Sequence, residues 1–149
     1  MIVAFDPGGT TGVAMWDPIR QEFRSLEVPG GFTGLADRLR DPYLSPDPPS
    51  EVIVERFTVN ASTHKKDPTA FADTTSIIGA IRFWAHPYIP VTFQTPQQAK
   101  QFAPDTRLRA LGWYTPSPGG HANDAARHLA TYLAHHRDPY VLRALTRAV

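Results

Sequence analysis

The sequence predicts an α/β protein built on a mixed sheet, and three observations support this fold class. The N-terminal segment contains three short apolar runs separated by turn residues, a pattern typical of antiparallel strands. A β-branched run, "VIV", then stands between a proline-rich loop and a polar loop, which is typical of a central strand covered on both faces. Helical patterns alternate with another short strand beyond it. A meander followed by alternating strands and helices indicates a mixed α/β sheet.

The N-terminal elements follow from their turn residues. Ile2–Phe5 is expected to form a short buried strand, Gly12–Trp16 its hairpin partner and Glu22–Val28 a third strand. The "PGG" turn at Pro29–Gly31 then ends the strand pattern. Apolar residues at helical spacing predict the first helix; they are Phe32, Leu35, Ala36 and Leu39.

The rest of the chain alternates between strands and helices. The run Val52–Val54 predicts a central strand that ends at Glu55. A long helix is expected from Asp67 as N-cap, with Pro68 at the first helical position, to about His86. The strand "IPVTF" follows. The later helices are expected to begin at Thr95 with Gln98 as a capping box, at Pro104 with Asp105, at His121, and at Asp138 with Pro139.

Composition limits the classes of function. The 149 residues, 42% of them hydrophobic, fit a single compact domain over 1–149. The absence of cysteine excludes thiolate metal sites, so a bound metal must have oxygen or imidazole ligands. With a formal net charge of +1, nucleic-acid binding would depend on a local basic patch. Without a membrane-length apolar run or a signal-like N-terminus, we expect a cytoplasmic protein with no membrane partner.

Three acidic residues occupy similar places in the predicted elements. Asp6 closes the first strand, Glu55 closes the most apolar strand, and Asp124 follows His121 by three residues on one helical face. The ordinary interpretations are that Asp6 is a turn residue, Glu55 an ion-pair partner and Asp124 a helix-start charge, while His121 is an N-terminal cap or a solvent-facing residue. If the acids converge, their repulsion requires a cation, and Mg²⁺ or Mn²⁺ suits oxygen ligands. Two such ions are what phosphodiester cleavage uses.

In this order the motifs resemble a known family. "IVAFDPGGTTGVA", "VIVERF" and "HANDAARHLA" are similar to the three signature blocks of the RuvC-type Holliday junction resolvases, in the RNase H-like superfamily. The resemblance implies a five-stranded RNase H-like sheet flanked by helices, and a homodimer that nicks four-way DNA junctions symmetrically with Mg²⁺ or Mn²⁺. Carried over by motif, Asp6, Glu55 and Asp124 would be the metal-binding carboxylates. His121 takes the fourth position, either as a metal ligand through nitrogen or as an acid or base.

The resemblance also suggests residues that contact DNA. An aromatic residue after the strand-end Glu would lie against junction bases, although the same residue is equally compatible with the core. Basic side chains in the following loop and in the later helices would neutralise phosphates. The alternative for the loop is that its lysines are simply exposed to solvent. These candidates are Phe57, Lys65, Lys66, Lys100 and Arg107, with Arg109 widening the patch.

The long helix is apolar over much of its circumference, which favours packing against a second copy in a two-fold dimer. The alternative is a helix buried deep in a monomer core. Two neighbouring stripes carry the apolar residues: Phe71, Ile78 and Ala85, and Ile77, Ile81 and Trp84. The chain is shorter than the cellular members of the family that it resembles, which suggests a phage-borne version.

Three rival interpretations concern the same motifs. "DPGGTTG" also resembles the first phosphate loop of sugar kinases and actin-like ATPases, which need a second such domain. A nuclease acting on RNA–DNA hybrids or on flaps would use the same fold and metals; the His-x-x-Asp motif and the apolar helix favour the resolvase. A non-catalytic nucleic-acid-binding relic is disfavoured, because clustered carboxylates without a function would reduce stability.

Overall fold

The computed structural model of the chain describes residues 1–41, 48–57 and 68–147, without the side chains of residues 68–71 and 147. Five strands and six helices lie in this part of the chain. In order they are β1 (Ile2–Asp6), β2 (Thr10–Asp17), β3 (Glu22–Pro29), α1 (Gly31–Leu39), β4 (Glu51–Glu55), α2 (Pro68–Ala85), β5 (Val91–Gln94), α3 (Pro96–Phe102), α4 (Asp105–Leu111), α5 (His121–His135) and α6 (Pro139–Arg147).

The five strands form one mixed sheet in the order β3-β2-β1-β4-β5. The first three strands are antiparallel neighbours, whereas β4 runs parallel to both β1 and β5. The predicted mixed α/β architecture is therefore confirmed. Since Phe5 pairs with Val54 in the parallel register, the next residues, Asp6 and Glu55, lie at the same end of adjacent strands.

Alternation of side chains along the strands separates the core into two layers. Ala4 and Ile53 point to the layer formed with α4, α5 and α6, while Phe5 and Val54 point to the layer formed with α1 and α2. By the same alternation, the side chains of Asp6 and Glu55 point to the layer that contains α5. The central strand β4 is covered on both faces, as predicted, since its three β-branched residues are fully buried.

Two helix starts, those of α3 and α6, agree with their capping signals. The Thr95 hydroxyl accepts a hydrogen bond from the backbone N–H of Gln98, whose side-chain oxygen accepts one from the N–H of Thr95, so the predicted capping box is present. The Asp138 carboxylate caps α6 by accepting from the N–H groups of Tyr140 and Val141. The cap predicted at Asp67 lies outside the described residues.

Helix α2 packs within the monomer. Ile77, Ile81 and Ala85 are buried on the sheet, and Ile78 and Trp84 pack partly buried against the same cluster. The apolar residues around α2 are therefore explained by packing within the monomer, and they do not by themselves indicate that a second copy of the chain packs on this helix. The Phe71 side chain lies outside the described residues.

In the described part of the chain, no helix combines the length and the apolar character that a membrane span requires.

Candidate active site at the β1–β4 edge

Asp6 is a nearly buried carboxyl group at the end of β1, with only 11% of its side chain exposed. Its Oδ2 lies 3.0 Å from Nδ1 of His121, at the start of α5. Burial, followed by the negative charge of Glu55, raises the pKa of Asp6 from 3.8 to about 6; the charge of Asp124 adds to the rise, and the bond to His121 opposes it. The charges of both other acids therefore act on Asp6.

Glu55, at the end of β4, is held by a buried histidine. Nε2 of His128 donates to Oε2 of Glu55 over 2.9 Å, and Nδ1 of the same ring lies 3.0 Å from the side-chain oxygen of Gln94. His128 is on α5, and Gln94 pairs with Glu55 in the β4–β5 register. Three elements thus fix the position of this carboxylate.

Asp124, in the first turn of α5, faces two cations. Lys100 Nζ lies 3.4 Å from Oδ2, and Arg127 Nε lies 3.1 Å from Oδ1. Arg127 also binds the Asp105 carboxylate and the carbonyl of Ala103, so it connects α5 to the start of α4. Asp124 is thus held by one cation from α3 and one from its own helix.

The start of α5 is fitted closely to the sheet. Gly12 of β2 lies between Asp6 and Glu27 in the strand register, and a Cβ there would collide with the carbonyl group of His121. The N-cap residue Gly120 offers no side-chain cap. Glu27 supplies one from β3, since its carboxylate accepts from the hydroxyl of Ser117 and from the N–H of Ala122. These hydrogen bonds, that of Ser117 first, lower the pKa of Glu27.

The donor chemistry of this edge fits Mg²⁺ or Mn²⁺, because carboxylate oxygens with one imidazole nitrogen are suitable ligands for these ions. In the part of the chain that the structure describes, however, no three His, Asp or Glu side chains are close enough together to hold a metal ion. Protein groups bond to the acids instead: His121 to Asp6, His128 to Glu55, and Lys100 with Arg127 to Asp124.

The candidate DNA-contacting residues lie in different places. The acidic edge is the end of β1 and β4 that carries Asp6 and Glu55, together with Asp124 at the start of α5. Lys100 is at its rim, with 58% of its side chain exposed. Phe57 is half-buried two residues beyond Glu55. Arg107 binds the carbonyl of Phe102 and lies over its ring, and Arg109 stacks 3.6 Å over the ring of Tyr114. Lys65 and Lys66 lie outside the described residues.

Sequence reasoning missed four residues at this edge: Glu27, Gln94, Arg127 and His128. Arg127 follows Asp124 by three residues, so helical spacing alone could have indicated it. Glu27 and Gln94 depend on the register between strands, for which the sequence carried no signal.

The fold is similar to that of a protein solved in complex with DNA. A solved structure of T. thermophilus RuvC in complex with Holliday junction substrate matches with a TM-score of 0.64, covering 91% of this chain and 94% of that chain at 19% sequence identity. The chain therefore has the RuvC fold, as the resemblance of its motifs predicted. No protein-family model matches the sequence, and no curated protein is significantly similar to it.

Proposed function

We propose that this chain is a structure-specific endonuclease of the RuvC type, which resolves four-way DNA junctions by metal-dependent hydrolysis of phosphodiester bonds. The observation that carries the proposal is the position of Asp6 and Glu55 at the same end of adjacent strands of a RuvC-like sheet, where the charges of Glu55 and Asp124 both act on Asp6. Carboxylates brought together in this way favour a divalent cation. The similar RuvC structure contains a Holliday junction, which supports branched DNA as the substrate class.

The proposed ligands are Asp6, Glu55 and Asp124, with His121 as a fourth ligand or as the acid or base. Two Mg²⁺ or Mn²⁺ ions, when bound, would supply an activated water and stabilise the charge that develops on the phosphate. The residues of the chain itself orient these groups. His121 holds one oxygen of Asp6, and Lys100 offers an exposed ammonium group beside Asp124, where it can attract a DNA phosphate.

The DNA contacts are proposed on either side of this edge. Phe57, directly after β4, would stack against junction bases. Lys65, Lys66, Lys100 and Arg107, with Arg109, would neutralise phosphates. We propose that the enzyme acts as a homodimer, because symmetric nicking of opposing strands needs two active sites in one particle. We propose the cytoplasm as the place where it acts.

The outward face of α2 is the proposed dimer contact. Phe83 is 86% exposed, and the small residues Ser76, Gly79 and Ala80 share its face at helical spacing. Small residues there would allow a second helix to approach closely. The sequence had indicated the two apolar stripes that contain Ile77 and Ile78. The outward face replaces them as the proposed interface, because both residues pack against the core of the monomer.

The proposed activity is tested with four substrates: a mobile four-way junction, linear duplex, a flap and an RNA–DNA hybrid, each with Mg²⁺, Mn²⁺ or EDTA. We expect paired nicks in opposing strands of the junction with either metal, little cutting of linear duplex and none in EDTA. Asp6→Asn and Glu55→Gln should abolish cutting while junction binding persists, because the carboxylates serve the ions and not the DNA. Asp17→Asn is a matched control, since Asp17 ends β2 at the opposite edge of the sheet and caps a turn there.

Two results would contradict the proposal. Preferred cutting of the RNA–DNA hybrid would indicate a ribonuclease H activity on the same fold. Equal loss of junction binding in Asp6→Asn and Glu55→Gln would mean that these acids support the fold and not a metal site.

A further inference from the structure

His128 is a fully buried polar side chain packed against a mainly apolar layer of the core. Its neighbours on α5, Ala125 and Leu129, belong to the apolar core, and the imidazole itself is only 1% exposed. An apolar residue is the ordinary occupant of such a position, because a buried polar group needs hydrogen-bond partners. His128 has a partner at each ring nitrogen, Glu55 at Nε2 and Gln94 at Nδ1.

The two contacts fix the imidazole in both position and orientation. Nε2 must donate to the Glu55 carboxylate, which only accepts. The amide of Gln94 has both a donor and an acceptor to offer Nδ1, so it satisfies that nitrogen in either case. Gln94 is next to Glu55 in the strand register, which makes the Gln94–His128–Glu55 chain a link between β5, α5 and β4.

The bond to His128 leaves part of Glu55 available. His128 occupies Oε2 of Glu55, whereas no partner within the described residues bonds to Oε1. The side chain of Glu55 is 21% exposed, so an ion in solution can reach it. A carboxylate anchored through one oxygen and accessible at the other is arranged as a metal-binding carboxylate with an outer hydrogen-bond partner.

We propose that His128 and Gln94 are positioning residues that hold the Glu55 carboxylate ready to bind a divalent ion. The inference rests on the proposed function, and it assigns to α5 a role beyond carrying Asp124. His121, Asp124 and His128 are spaced i, i+3 and i+7, so one face of this helix holds Asp6, supplies the third acid and holds Glu55. A single rigid helix thereby sets the position of all three acids.

The test measures Mn²⁺ binding to the full chain without DNA, by the electron paramagnetic resonance signal of free Mn²⁺. We expect His128→Leu, which removes the donor but fills the site, to weaken Mn²⁺ affinity about 10- to 100-fold. His128→Gln places an amide N–H near the position of Nε2 and should retain most of the affinity. Gln94→Leu, at the partly exposed end of β5, should weaken binding less than His128→Leu because the ring keeps its bond to Glu55.

The control is Leu129→Ala, which removes core packing next to His128 without touching Glu55. We expect it to lower the melting temperature while leaving Mn²⁺ affinity unchanged. An affinity in His128→Leu equal to the wild type would overturn the inference, as would equal losses in His128→Leu and His128→Gln. If His128→Leu does not fold, Gln94→Leu decides in its place, and an unchanged affinity there would overturn the inference.

The wild-type protein separates this inference from the proposed function. Wild-type chain that binds no Mn²⁺ and cuts no junction would overturn both. Wild-type chain that binds Mn²⁺ and cuts junctions, with variants that bind Mn²⁺ equally well, would overturn only the positioning role.

Discussion

At the scale of single residues, Asp6 has the most perturbed chemistry of the described acids. It is nearly buried, lies near two other carboxylates and has one imidazole partner. Its pKa of about 6 means that the folded chain without metal resists the ionised form that a metal ligand must adopt. A divalent cation would relieve this cost, which is the physical basis for a metal at this edge.

The sign of the pH dependence follows from that pKa. The folded state binds the Asp6 proton more tightly than the unfolded state, so the free energy of unfolding falls as pH rises from about 4 to about 6. Above that range the loss of stability from ionising Asp6 is complete. Asp6→Asn removes the ionisation. In EDTA at pH 7.5, we expect this variant to be more stable than the wild type by up to about 3 kcal/mol, with the difference disappearing near pH 4.

Urea denaturation of both proteins across this pH range measures the effect. The free energy of unfolding should fall as pH rises in the wild type, and should not do so in the variant. Asp6→Asn that is less stable than the wild type at every pH would mean that the bond to His121 outweighs burial and the charge of Glu55.

Residue-level reasoning from the sequence identified the residues that motifs mark. Asp6, Glu55, His121 and Asp124 stand at the ends or starts of recognisable elements. His128 was harder to find, because a histidine inside an alanine–leucine stripe is indistinguishable from a tolerated core residue until its partners are known. Those partners come from strands that are distant in sequence.

At the scale of elements, the start of α5 depends on what the sheet allows. Gly12 permits the backbone of His121 to lie directly on β2, and Glu27 caps the helix from β3. Both residues adjoin the segment that carries His121 and Asp124. The geometry of the acidic edge is therefore set partly by residues that do no chemistry.

Gly12→Ala tests this dependence. Because the new methyl group would meet backbone and not a flexible side chain, we expect a loss of stability on the order of 1–3 kcal/mol and a loss of junction cutting. Gly9→Ala is the control, since a Cβ there meets nothing and should change stability by less than about 0.5 kcal/mol. Thermal melting and the junction assay provide the measurements, and full activity in Gly12→Ala would contradict the account.

Most elements were predictable from local signals. The capping box at Thr95, the β-branched strand β4 and the apolar stripe of α5 follow directly from the sequence. Local signals failed for α1, where Phe32 has the helical spacing of a core residue but is 45% exposed while Leu35 is buried. Which side of such a stripe faces the sheet depends on tertiary packing, which spacing does not encode.

At the scale of the whole molecule, the sheet separates two tasks. The α5 side holds the acidic edge, and the opposite side holds α1 and α2, with Phe83 exposed on α2. The sequence predicted the sheet and the apolar character of α2, but the packing of α2 on the sheet was needed to show which of its residues remain outside the core.

The proposed dimer is tested by Phe83→Glu. If the outward face of α2 joins two copies, this charge should yield monomers in light scattering coupled to size-exclusion chromatography, without loss of helical content. Ile19→Glu is the matched control, because Ile19 is 92% exposed in the turn between β2 and β3 and is not part of α2. A wild type that is monomeric, or a Phe83→Glu variant that remains dimeric, would contradict the proposed interface.

The central claim is that one edge of the sheet binds divalent ions through acids that are distant in sequence. A crystal of the protein soaked in Mn²⁺ tests it most directly, through the anomalous scattering of manganese. We expect a peak bonded to oxygens of Asp6, Glu55 and Asp124, with Lys100 displaced from Asp124. A map without manganese at this edge, in which the acids keep only their bonds to His121, His128, Lys100 and Arg127, would contradict the account.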